Sequence, residues 1–163
     1  MLIQLVKTLP NVFSIGNFIC GVLSITINMS GFPEASAIFI FLAAFFDLFD
    51  GRIARKLKAD SALGIHLDSL ADIVSFGVAP ALLFHSFAPV SLLTSFAFIL
   101  FPTMGVVRLA RFSAHPTRGY FIGVPIPAAG LILAFMGLFS YSSSFITIIL
   151  AVLMVAPIKV KKL

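Results

Sequence analysis

The chain alternates long apolar runs with short polar breaks. Runs near the length that crosses about 30 Å of hydrocarbon fall at 11–29, 33–50, 64–87, 90–109, 121–140 and 142–158, the last marginal in length. The pattern predicts a single all-α integral membrane domain, 1–163, with six transmembrane helices. Residues 1–8 read as a short N-terminal interfacial helix that ends before Pro10. The first run is interrupted by Asn11 and Asn17 and lacks a small-residue cleavage site, so it is expected to stay as a helix rather than act as a signal peptide. Pro33 and Glu34, just after Ser30-Gly31, mark the start of the second helix, which continues past the apolar run to about Lys58. Asp60 or Ser61 is placed to cap the third.

Composition agrees with the pattern. A mean hydropathy of +1.14, 19 Phe and 10% charged residues are incompatible with a soluble domain of 163 residues, which could not hide so much apolar surface. All eleven Lys and Arg, namely Lys7, Arg52, Arg55, Lys56, Lys58, Arg108, Arg111, Arg118, Lys159, Lys161 and Lys162, fall on one side when threaded through six spans. The positive-inside rule puts both termini on the cytoplasmic face of a multi-pass cell-membrane protein, and the net charge of +5 then reflects topology and anionic headgroups, with no nucleic-acid partner. Cys20, the single cysteine, lies in an apolar run as a small hydrophobe.

Against this background the acids stand out. Four of the six, Asp47, Asp50, Asp68 and Asp72, lie within 26 residues at the cytoplasmic edge. Spacings of i,i+3 and i,i+4 set each pair on one helical face, and two such faces turned together need cations. Several carboxylates without nearby cysteine suit a hard divalent ion, Mg²⁺ or Mn²⁺, of the kind that neutralises a diphosphate. Gly51, Ala54 and Gly64 leave room for a ligand or a second backbone, and Arg55 is one turn from Asp50, within reach of phosphate. His66, His85 and His115 have no metal-ligand spacing. Six spans with buried acids also describe a cation or proton transporter, but such proteins usually spread their charges along a path near the midplane; these cluster at one interface.

The string Asp47-x-x-Asp50-Gly51-x-x-Ala54-Arg55, eight residues, Gly64-x-x-x-Asp68-x-x-x-Asp72 resembles the signature of the CDP-alcohol phosphotransferase family at every fixed position. The resemblance implies a six-helix membrane enzyme, usually a homodimer, that releases CMP while transferring a phosphatidyl-type or phosphoalcohol group to a hydroxyl. It assigns Asp47, Asp50 and Asp68 to metal, Asp72 to the general-base role with a further part as ligand, and Gly51, Ala54, Arg55 and Gly64 to the CDP-lipid. Pro10-Asn11, Asn17, Cys20-Gly21, Arg108-Leu-Ala-Arg111-Phe112 and Phe121-Ile-Gly123-Val-Pro125-Ile-Pro127-Ala128-Ala129 are similar to the serine-using branch, whose substrates are CDP-diacylglycerol and L-serine. Other acceptors, such as glycerol 3-phosphate or inositol phosphate, and an archaetidyl ether lipid, stay open. Arg108 and Arg111 suit the serine carboxylate or a phosphate, and serve equally as interfacial anchors. Asn11 and Asn17 suit either substrate contact or hydrogen bonding between helices.

Overall fold

The computed structural model describes the backbone of residues 2–57, 61–114 and 120–161, and the side chains of 10–49, 51–53, 61, 63–114 and 123–158. Helix α1 (Leu2–Met29) runs unbroken through Pro10, so no separate interfacial helix ends there. Proline removes one backbone donor and favours a kink, yet the chain on both sides keeps its helical hydrogen bonding. A turn with Gly31 at φ 89 leads to α2 (Pro33–Leu57), which begins with proline at its first position and extends beyond the apolar run as expected. Helix α1 packs most extensively on α2, and Ser24 Oγ accepts or donates to Ser36 Oγ at 2.8 Å within that interface.

Helix α3 (Ala62–Asp72) starts at Ser61, whose Oγ accepts from Gly64 N at 3.0 Å, an N-cap that satisfies one of the first-turn donors. The expected helix over 64–87 is present as a continuous stretch, Leu63–Phe87, but carries a π-helical turn at Ile73–Val78 between α3 and α4 (Ala79–Phe87). Pro80 has no N–H to give the Phe76 carbonyl, and Ala79 N reaches back five residues to Val74 O. The turn shifts the phase of the helix immediately after Asp72.

Helix α5 (Leu92–Ala114) is followed by strand β1 (Tyr120–Ile122), then α6 (Ile126–Leu138), α7 (Ser144–Val155) and strand β2 (Lys159–Lys161). The two strands pair antiparallel, Tyr120 opposite Lys161 and Ile122 opposite Lys159, adding a small ribbon to the expected all-α fold. The fifth apolar run begins as this ribbon because Pro125 and Pro127 delay helix entry to Ile126 and Gly123 turns the chain at φ 75. Gly123 N donates to Ile158 O at 2.9 Å and Val124 N to Leu153 O at 3.0 Å, so the non-helical backbone is satisfied within the protein.

Among the described residues, three helical stretches are long and apolar enough to cross a membrane: Pro10–Met29, Leu63–Phe87 and Leu92–Ala114; Ile126–Leu138 and Ser144–Val155 are apolar but shorter. Many large apolar side chains face outward, among them Phe45, Phe96 and Ile99, the inverse of a water-soluble surface. The interior centres on Ile40, Phe76, Leu83, Phe101, Ile126 and Met154. Close approach uses small residues: a Cβ on Gly130 of α6 would lie 2.7 Å from Phe76 O.

Candidate active site at the junction of helices α1, α2 and α3

Helix α2 delivers Asp47, and α3 delivers Asp68 and Asp72 one turn apart. One carboxylate oxygen from each lies within 4.8 Å of the other two. Asp72 is only 7% exposed, while Asp47 and Asp68 are half-buried. Unit charges at such separations repel by about 3–4 kcal/mol per pair at an effective dielectric of about 20, a repulsion that a bound cation or a shared proton relieves. Three hard anionic oxygens fit a divalent ion better than they fit one another. Asp50, Ala54 and Arg55 ride on α2 beside this cluster, but their side chains lie outside the described residues.

The surroundings leave room for a ligand beside the acids. An added Cβ at Gly51 would meet nothing within 4 Å among the described residues, which leave room beside α2 one turn past Asp47. At Gly64 it would lie 2.8 Å from Asn11 Oδ1 and 3.1 Å from Ser61 Oγ, so the glycine lets helix α1 approach the start of α3. Asn17, fully buried on α1, donates from Nδ2 to Asp72 Oδ1 at 3.1 Å. Its Oδ1 is buried with no hydrogen-bond partner among the described residues, an acceptor that water on a hydrated cation would satisfy. An apolar crevice lined by Ser14, Ile15, Phe18, Leu67, Leu70 and Ala71 opens between α1 and α3; Leu67 and Ala71 directly precede Asp68 and Asp72.

Residues 7–157 match the model of the CDP-alcohol phosphatidyltransferase family. The chain belongs to that family. It is similar to the CDP-diacylglycerol–serine O-phosphatidyltransferase of Bacillus subtilis (strain 168), with 40% identity over 157 residues, 93% of this chain and 88% of that protein. The Methanocaldococcus jannaschii protein of the same name is 40% identical over 164 residues, 98% of this chain and 77% of its own length. The archaetidylserine synthase of Methanothermobacter thermautotrophicus is 36% identical over 162 residues, covering 93% and 68% respectively.

In this CDP-alcohol phosphatidyltransferase the two arginines of α5 part company. Arg108 is half-buried, feels the charge of Asp72, and has a buried Nε without a hydrogen-bond partner among the described residues. Arg111 is exposed and donates from Nη1 to Val155 O at 3.4 Å, where it meets an end carbonyl of α7. Among the histidines, His66 is exposed, His85 packs on the Phe98 ring at 5.1 Å between centroids, and His115 lies outside the described residues. Of the two readings open for Asn17, substrate contact or hydrogen bonding between helices, the phase of α1 against α3 gives the second, a bond to Asp72. Ser75 and Gly77 continue the acid-bearing side of this helix in the sequence, whereas the π turn has no local signal beyond Pro80.

Proposed function

We propose that this chain transfers the phosphatidyl group of CDP-diacylglycerol to the hydroxyl of L-serine, giving phosphatidylserine and CMP. The observation that carries the reading is the convergence of Asp47, Asp68 and Asp72, the described acids of the family signature, in a chain whose relatives are named for this reaction. Asp47, Asp50 and Asp68, joined by Asp72, would hold a divalent ion, Mg²⁺ or Mn²⁺. When bound, that ion neutralises the diphosphate and lowers the energy of the departing CMP oxygen.

The chain's own groups do the rest. Asp72 accepts the proton of the serine hydroxyl as that oxygen attacks the lipid-side phosphorus. The new O–P bond forms, the P–O bond to CMP breaks, and the electron pair leaves on the CMP phosphate. Gly51, Ala54, Arg55 and Gly64 line the nucleotide and diphosphate. Arg108, with its unanswered donor near Asp72, takes the serine carboxylate or a phosphate oxygen. The lipid tails leave the site through the apolar crevice between α1 and α3.

The six spans of the proposed topology are α1, α2, α3 through α4, α5, α6 and α7. Helices α6 and α7, of 13 and 12 residues, cover only about 20 and 18 Å by helical rise. Extended chain on either side, at about 3.3 Å per residue, supplies the remaining depth. Both termini and the acids then face the cytoplasm of a cell membrane, and the enzyme works as a homodimer. The deciding experiment measures CMP release by purified protein from CDP-diacylglycerol with serine, glycerol 3-phosphate or inositol phosphate, and repeats the serine arm with the ether-linked lipid. Serine-dependent release is expected; release with another acceptor and none with serine overturns the assignment.

A further inference from the structure

We propose that Asn17 is a positioning residue that fixes the carboxylate of Asp72 for metal binding and proton transfer. The proposal rests on the reading of Asp72 as part of the reaction site. Three observations converge on it. Asn17 is 0% exposed and donates from Nδ2 to Asp72 Oδ1 at 3.1 Å, across 55 residues of sequence. Its backbone carbonyl accepts from Ser75 Oγ at 2.9 Å. One residue of α1 is therefore tied to both sides of the junction where α3 ends at Asp72 and the π turn begins at Ile73. Gly21, one turn further along α1, makes this approach possible, because a Cβ there would lie 2.9 Å from Ser75 Cα and would collide with Ser75 Oγ.

The chemistry of an amide fits the task. A lysine or arginine at this point would hold Asp72 by charge and compete with a cation for it. A neutral N–H donor restrains rotation of the carboxylate without cancelling its charge, the arrangement by which outer partners orient metal-ligating groups. Since an ionised carboxylate only accepts, the amide nitrogen must face Asp72 and the oxygen must face away. That oxygen is the buried Oδ1 with no hydrogen-bond partner among the described residues, free to accept from a donor such as a metal-bound water would supply. An asparagine serving only to tie helices together would be expected to satisfy both ends, as Ser24 does with the hydroxyl and carbonyl of Ser36.

The test is a titration of detergent-purified, chelator-stripped protein with Mn²⁺ followed by electron paramagnetic resonance, alongside thermal melting and CMP release. Asn17→Ala should weaken Mn²⁺ binding and lower kcat, each by about 10–100-fold, with little change in KM for the CDP-lipid. Asn17→Ser, which keeps a donor, should recover part of both losses. Ser24→Ala, at a buried contact away from the acids, should lower the melting temperature without moving Mn²⁺ affinity or kcat. A folded Asn17→Ala protein with unchanged Mn²⁺ affinity and kcat overturns the proposal, as does Ser24→Ala weakening Mn²⁺ equally. If Asn17→Ala does not fold, Ser75→Ala replaces it, with a smaller loss in the same two readouts expected and no loss overturning the idea. Absence of serine-dependent CMP release by the parent protein defeats the proposed reaction instead, and the Mn²⁺ arm still judges Asn17.

Discussion

Substituting Gly51 by alanine sets stability against function. Gly51 lies inside α2, six residues before its end at Leu57, and an added Cβ would meet no atom of the described residues within 4 Å. With no steric penalty, the substitution should stabilise the helix by about 0.8–1 kcal/mol, the usual difference between glycine and alanine in a helix interior. For a chain of this size that corresponds to a rise of about 2–4 °C in melting temperature. If the empty space is where the nucleotide and diphosphate lie, the methyl group occupies part of the substrate's volume. Overfilling a close-packed contact costs about 1–3 kcal/mol, which is about 5-fold to 150-fold in KM for CDP-diacylglycerol. Melting in detergent and CMP-release kinetics with the lipid varied at saturating serine measure the two effects. An enzyme that melts higher and keeps its parental KM would refute the nucleotide-side role of Gly51; one that melts lower would refute the claim that the space is open.

Three further predictions concern the same region. Asp68→Asn should reduce CMP release by more than the roughly 10–100-fold typical of an outer-shell change, and EDTA should do the same to the parent reversibly; parental activity in chelator would remove the metal from the mechanism. Gly21→Ala brings a Cβ to 2.9 Å from Ser75 Cα, a backbone atom that cannot rotate away. It should destabilise the protein by about 1–3 kcal/mol before the roughly 1 kcal/mol helical gain is subtracted, and a melting temperature above the parent's would show that the α1–π contact is looser than described. Arg108→Lys should raise KM for serine with CDP-lipid affinity nearly unchanged, whereas Arg111→Lys, acting on the Val155 carbonyl, should cost at most about 1 kcal/mol of stability and leave serine KM alone. Weaker CDP-lipid binding in the Arg108 variant, at constant salt, would assign that residue to phosphate.

Much of the candidate site was legible before any coordinates because its chemistry is concentrated in short-range spacing. Asp68 and Asp72 share a face by helical period alone, Ser61 announces the start of α3, and acids in an apolar chain are too costly to stay without a partner. The pairing of α2 with α3 followed from the same reasoning, and Asp47 does meet Asp68 and Asp72. Asp50, Ala54 and Arg55 were read from the same motif, and their side chains lie outside the described residues.

What the amino-acid order determined by itself was the membrane class, most helix starts and the acid faces, since these depend on residue type and on neighbours within a few positions. Tertiary structure decided the rest, because it turns on which distant backbones can approach. The π turn after Asp72 depends on Pro80 and on packing against Gly21 and Gly130 from two other helices. The ribbon joining Tyr120–Ile122 to Lys159–Lys161 needs two segments nearly forty residues apart, so no local pattern announces it. Arg108 and Arg111, equivalent in sequence, separate only when α7 brings the Val155 carbonyl to one of them. Asn17 finds Asp72 for the same reason: the rotation of α1 about its axis is set by small residues packing against distant helices, not by its own sequence period.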